Sequence, residues 1–137
     1  MAAALLARSI EEAGLTGIEA ESAGIGAWEG AAASEGAYLV MLEQGYDLSG
    51  HRARQLTKGL ADEADLILTM AHSHLGRVRE LGGGARAHLL GEYAGKDPES
   101  AEIQDPYGSE LEQYRETYRE LLEMMPEVVA RLRGHRA

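Results

Sequence analysis

Few side chains in this 137-residue chain could do chemistry, and none of them is a cysteine. The stretch "EIQDPYGSELEQY", residues 102–114, sets Asp105 directly before Pro106, Tyr107 and Gly108. A carboxyl on a turn beside a rigid proline and an aromatic ring suits a general acid that meets a leaving group. The same Asp-Pro pair also serves as plain turn punctuation before a helix. His51, with Arg52 and Arg54, forms either a cationic lip for an anionic substrate or a solvated loop. Trp28, the single tryptophan, lies in the glycine-rich "AGIGAWEGA", where a ligand pocket and core packing would explain it equally. That stretch lacks the G-x-G-x-x-G spacing of a dinucleotide site. His72 and His74, in "AHSH", are two residues apart at a helix start and do not share a face. Zinc wants three or four converging ligands, so no metal is expected.

Whatever positions these residues is a single domain spanning residues 1–137, large enough to bury roughly two-thirds of its unfolded surface. A formal charge of −10 argues against a nucleic-acid partner, because phosphate backbones reward a basic face. The apolar runs fall far short of the ~20 residues of a membrane span, so no membrane partner is expected. The N-terminal "MAAALLARSIEEAG" lacks the charged lead-in and cleavage site of a secretory signal. Zero cysteine fits a reducing, cytoplasmic setting.

The hydrophobic pattern predicts a helix over 2–13 stopped by Gly14, then a short strand from Ile18 to Ser22. A second helix is predicted from Ser34 to Gly45, and a short helical turn over 57–63. "DLILTM" reads as a strand buried on both faces. A third helix near 73–81, a strand in "ARAHLL" and a long polar loop over 91–108 follow. Ser109 and Glu112 predict a capping box for a last helix, with Pro126 kinking or interrupting it. The order α-β-α-β-α-β-α means parallel strands covered by helices. A doubly wound fold normally opens on a strand feeding its first helix. Here the first helix begins at once, with no capping residue ahead of Ala2.

Six segments, in order, resemble one family: "ALLARSIEEAGL", "ESAGIGAWEG", "DLSGHRARQLT", "EADLILTM", "HLLGEYAG" and "DPYGSELEQYRETYREL". The chain resembles the low-molecular-weight protein-tyrosine-phosphatases, and within them is most similar to the bacterial protein-arginine-phosphatase branch. The resemblance implies a three-layer αβα fold around a parallel sheet of strand order 2-1-3-4. It implies hydrolysis of a phosphorylated protein through a phosphocysteine intermediate, without cofactor or metal. A cysteine thiolate of a Cys-x5-Arg loop attacks phosphorus, and an aspartate protonates the leaving group. By the same resemblance Asp105 matches the general acid and base. Tyr107 and Trp28 match aromatics flanking the substrate. Ser22 and His51 match residues that brace the phosphate loop.

The family's opening strand and its Cys-x5-Arg-Ser-Pro loop have no counterpart in this sequence. The residue that follows that loop in the family is usually Met, and here it matches Met1. The expectation is therefore an N-terminally truncated member, inactive as it stands. The alternative is a non-catalytic phosphoprotein-binding or scaffold descendant. The unmatched strand is interior in the family, so its neighbours should carry unpaired backbone groups. Each such buried group costs ~1–3 kcal/mol against a total stability of ~5–15 kcal/mol.

Overall fold

The structure is a computed structural model and describes residues 1–136. Helix α1 (Ala2–Glu12) buries Leu5 and Ile10 and has no side-chain cap at Met1. Gly14, at φ 71°, turns the chain out of it in the left-handed region that side chains rarely adopt. Helix α2 (Glu35–Glu43) is capped by the Ser34 hydroxyl, which accepts from the Ala37 N–H. Helix α3 (Lys58–Glu63) is capped in the same way by Thr57 and Leu60.

Strand β1 (Ile67–Thr69) follows, then helix α4 (His72–Glu80) and strand β2 (Ala87–Leu89). The two strands pair in parallel, with Leu68 opposite His88. A short helix α5 (Leu90–Tyr93) and a long helix α6 (Leu111–Arg136) complete the chain.

The sheet separates two apolar clusters, and the two-residue period of β1 decides which side chain goes where. Leu66, Leu68 and Met70 pack against the larger cluster, built from α1, α2, α5 and α6. Ile67 packs against the smaller one, which holds Leu75 and Val78 of α4. These are the three layers of an αβα fold. One side of α6 reads Tyr114, Tyr118, Leu121, Met125, Val128 and Leu132, all buried, which follows the helical period.

The structure departs from the sequence pattern in four places. Residues 18–22 form no strand, because they have no partner to pair with: among the described residues the sheet has two strands. The segment 91–108 is not a plain polar loop. It contains most of α5 and a 3-10 turn at Pro98–Ser100, and it buries Tyr93, Ala101 and Ile103. Helix α6 runs unbroken through Pro126, since the buried row on both sides of it outweighs the lost hydrogen bond. The Ser109–Glu112 capping box does not form. The helix begins at Leu111, and the Glu112 carboxylate accepts instead from Arg115 at 3.3 Å and Arg119 at 3.0 Å.

Candidate functional site

Two loop systems carry the chemistry-bearing residues. The first is the glycine-rich loop that holds Trp28, clamped along residues 53–56. Gly24 and Gln55 form a parallel bridge, in which the Gly24 N–H donates to the Arg54 carbonyl at 2.9 Å and Leu56 N–H to Gly24 at 2.8 Å. Farther out, Gly30 N–H donates to Ala53 and Ala53 N–H to Ala31, each at 2.7 Å. The Gln55 side chain closes the clamp: its Oε1 accepts from Gly26 at 2.9 Å and from Ala27 at 2.7 Å. The indole of Trp28 is left 86% exposed on top of this frame.

Arg54 ties the same frame to Ser22. Its Nε donates to the Ser22 carbonyl and its Nη2 to the Glu21 carboxylate, both at 2.9 Å. Arg52 donates to the carbonyls of Ser49 and His51. Both guanidinium groups are thus engaged in holding loops, so the expectation of a free cationic lip is not met at Arg54. His51, half-buried, closes a turn by donating its N–H to the Leu48 carbonyl at 3.0 Å. Ser22 and Trp28 therefore share one hydrogen-bonded frame, whereas among the described residues no hydrogen bond links His51 to it.

The second system is the loop 101–108, fixed at the C-terminal end of β1. The Ile103 N–H donates to the Met70 carbonyl at 2.9 Å, and Glu102 Oε1 accepts from the His72 N–H at 2.7 Å. Asp105 follows, exposed, with its Oδ1 accepting from the Tyr107 N–H at 3.0 Å. This is the aspartate turn that the residue pair predicts. It leaves Oδ2 without a partner among the described residues, and the Tyr107 side chain, two residues on, is 76% exposed. Gly108, at φ 81°, completes the turn. Among the described residues no hydrogen bond links this loop to the Trp28 frame. His72 and His74 begin α4, and among the described residues no three His, Asp or Glu side chains converge.

Sequence reasoning missed Gln55 and Glu102. Neither residue type announces itself, because each works by capping backbone N–H groups of a segment 28 or more residues away.

A parallel αβα fold of this kind has known counterparts. The family model described as low molecular weight phosphotyrosine protein phosphatase matches residues 1–137. The chain belongs to this phosphatase family. A probable low molecular weight protein-tyrosine-phosphatase, EpsP of Ralstonia nicotianae, is 39% identical over 118 residues, covering 85% of this chain and 74% of that protein. The protein-arginine-phosphatase of Geobacillus stearothermophilus is 33% identical over 132 residues, covering 96% and 86%. Among solved structures, a mutant of YwlE from Bacillus subtilis superposes with a TM-score of 0.88 at 28% identity, covering 96% of this chain and 88% of that one. The fold is that of a phosphatase, a hydrolase family acting on phosphorylated proteins. Among the described residues no helix is long and apolar enough to cross a membrane.

Proposed function

We propose that these 137 residues, one domain, carry the proton-transfer and substrate-wall part of a cytoplasmic protein phosphatase. Asp105 is the general acid and base. Tyr107 and Trp28 flank the phosphorylated side chain, and Ser22 and His51 brace the phosphate loop. The observation that carries this reading is the Asp105 turn. One carboxylate oxygen is fixed by the Tyr107 N–H, and the other is left without a partner among the described residues, on a loop whose tyrosine is 76% exposed. Expelling a tyrosine oxygen or an arginine nitrogen from phosphorus needs such a proton. The similarity to both tyrosine and arginine phosphatases makes phosphotyrosine and phosphoarginine the two candidate substrates.

The 137 residues contain no cysteine and so lack the nucleophile of the phosphocysteine route. On their own they hydrolyse neither substrate. The test compares this chain with one preceded by a strand and a Cys-x5-Arg loop, assayed on phosphotyrosine and phosphoarginine peptides. The extended chain turns over, and Asp105→Asn lowers its kcat by about 10²–10⁴. Turnover by the 137 residues alone, or an extended chain indifferent to Asp105→Asn, overturns the reading. The zero cysteine count supports the second reading, a non-catalytic phosphoprotein-binding module. It requires the 137-residue chain to bind a phosphopeptide over its unphosphorylated form.

A further inference from the structure

Strand β1 ends on Thr69, a residue only 6% exposed. Among the described residues its hydroxyl is the one buried side-chain polar atom without a hydrogen-bond partner. Native structures seldom leave such a group unpaired, because its lost bonds to water are then not replaced. Packing does not call for the hydroxyl either. Valine has the same branched shape, suits a strand as well and carries no orphan donor. The oxygen, not the shape, is what needs a role.

Its place in the fold narrows that role. In open α/β sheets ligands meet the carboxyl ends of the strands, and Thr69 is the last residue of β1. The next residue, Met70, accepts the Ile103 N–H at 2.9 Å and so anchors the loop that carries Asp105. Thr69 also lines an opening of about 960 Å³ that Ser22 lines as well. Two hydroxyl side chains, from different segments of the chain, therefore border one space.

We infer that Thr69 is a positioning residue for the phosphatase reaction, whose hydroxyl hydrogen-bonds the backbone of a Cys-x5-Arg loop. It braces from the end of β1 the loop that Ser22 braces from the segment before Trp28. The inference rests on the reading of these residues as part of a phosphatase, and it adds a support that the resemblance does not name. A hydroxyl suits the task. It donates and accepts, and it rotates to whichever loop group is unpaired. Being neutral, it does not compete with the loop arginine for phosphate. Its burial gives the bond more weight than a surface hydroxyl would have. Thr69 acts through the loop, so its effect falls on the placement of the nucleophile.

The test pairs Thr69→Val, which removes the hydroxyl and keeps the shape, with Thr69→Ser, which keeps the hydroxyl. Each is made in the 137-residue chain and in the chain preceded by a strand and a Cys-x5-Arg loop. In the 137-residue chain Thr69→Val relieves an orphan group and raises the melting temperature by about 3–6 °C. In the extended chain it breaks a bond. The melting temperature falls, and kcat drops about 10–100-fold with KM unchanged. Thr69→Ser keeps kcat near that of the parent. A rise in melting temperature in both chains, with kcat unchanged, shows that the hydroxyl has no partner in the loop and overturns the inference. A loss of kcat that serine does not prevent traces the effect to packing and overturns it too. Asp105→Asn separates the two claims. An extended chain indifferent to it sinks the proposed acid, while the reversal in melting temperature decides Thr69 even where no turnover is seen.

Discussion

The side-chain carbonyl oxygen of Gln55 accepts from the Ala27 N–H at 2.7 Å, and so holds the residue next to Trp28 from across the clamp. The same atom takes the Gly26 N–H at 2.9 Å. One amide side chain thus fixes the backbone on which the exposed indole stands. Gln55→Leu removes both acceptors while keeping similar bulk. The freed N–H groups lie near the surface and turn to water, so the stability loss is modest, about 0.5–1.5 kcal/mol. The larger effect is local. Because Trp28 is the only tryptophan, its fluorescence anisotropy reports the loop directly and falls in the variant. Unchanged anisotropy would mean that the neighbouring backbone bridge holds the loop without Gln55.

Gly91 sits where α5 crosses the Ala101 backbone. A Cβ built there lies 2.3 Å from the Ala101 carbonyl oxygen and 2.7 Å from its Cα. Those atoms are main chain and cannot swing aside as a flexible side chain would. Gly91→Ala therefore destabilises by about 1–3 kcal/mol despite the higher helix propensity of alanine. The denaturation midpoint in urea checks this. Gly76, with open space around its Cβ position in α4, is the matched control, where alanine is neutral or stabilising.

Pro126 stands inside a continuous helix. A proline there removes one backbone hydrogen bond and crowds the preceding turn, at about 3 kcal/mol relative to alanine in an ordinary helix interior. The row Met124, Met125, Val128 and Val129 around it is buried, which holds the helix together regardless. Pro126→Ala raises stability by about 1–3 kcal/mol, read from the same urea midpoint. Pro126 is itself exposed, so a loss of stability would show that its fixed φ, and not its packing, favours the helix.

The elements that sequence alone revealed were those whose signal is local. Ser34 and Thr57 cap helices through their own side chains, and Gly14 needs a positive φ that its type permits. The Asp105 turn was legible for the same reason, since its hydrogen bond spans two residues. The failures depended on something distant. Ile18 to Ser22 has the alternation of a strand, but strand status requires a neighbour that these residues do not supply. The segment 91–108 looks polar, yet Tyr93, Ala101 and Ile103 are buried by contacts that no periodicity marks. Of the site, residue types pointed to Asp105 and Trp28. The frame under Trp28 rests on Gln55, which pattern reading passes over.

Arg115 of α6 pairs with two carboxylates, Glu43 across on α2 and Glu112 one turn back on its own helix. Its Nη2 lies 2.7 Å from Glu43 and its Nη1 3.3 Å from Glu112. The hydrogen bond from Arg115 holds Glu43 below the usual carboxylate range, and those from Arg119 and Arg115 do the same for Glu112. A carboxyl depressed in the folded state contributes stability above its unfolded value and loses it as pH falls through the folded one. The contribution is therefore present at neutral pH and fades below the ordinary glutamate value of 4.5. All three groups face solvent, so the effect is small and screened by salt. Glu43→Gln lowers the melting temperature slightly at pH 7, and by progressively less as pH falls below 4.5. A difference that does not shrink as pH falls, or that survives 1 M salt undiminished, would assign the loss to packing.

Glu102 reaches back 30 residues to accept the His72 N–H at 2.7 Å, which caps the start of α4 from the loop that carries Asp105. The helix has no side-chain cap of its own at Ala71. A carboxylate at a helix N-terminus satisfies an otherwise orphan donor and faces the positive end of the dipole. Glu102→Ala removes that cap at about 0.5–2 kcal/mol. The loop keeps its second anchor, the Ile103 N–H on the Met70 carbonyl, so it loosens without leaving its place. Amide exchange should accelerate at His72 and at Tyr107 together, because Tyr107 donates to Asp105 two residues beyond the anchored pair. Acceleration at His72 alone would show that the Asp105 turn is set by Pro106 and Gly108 and not by its anchor.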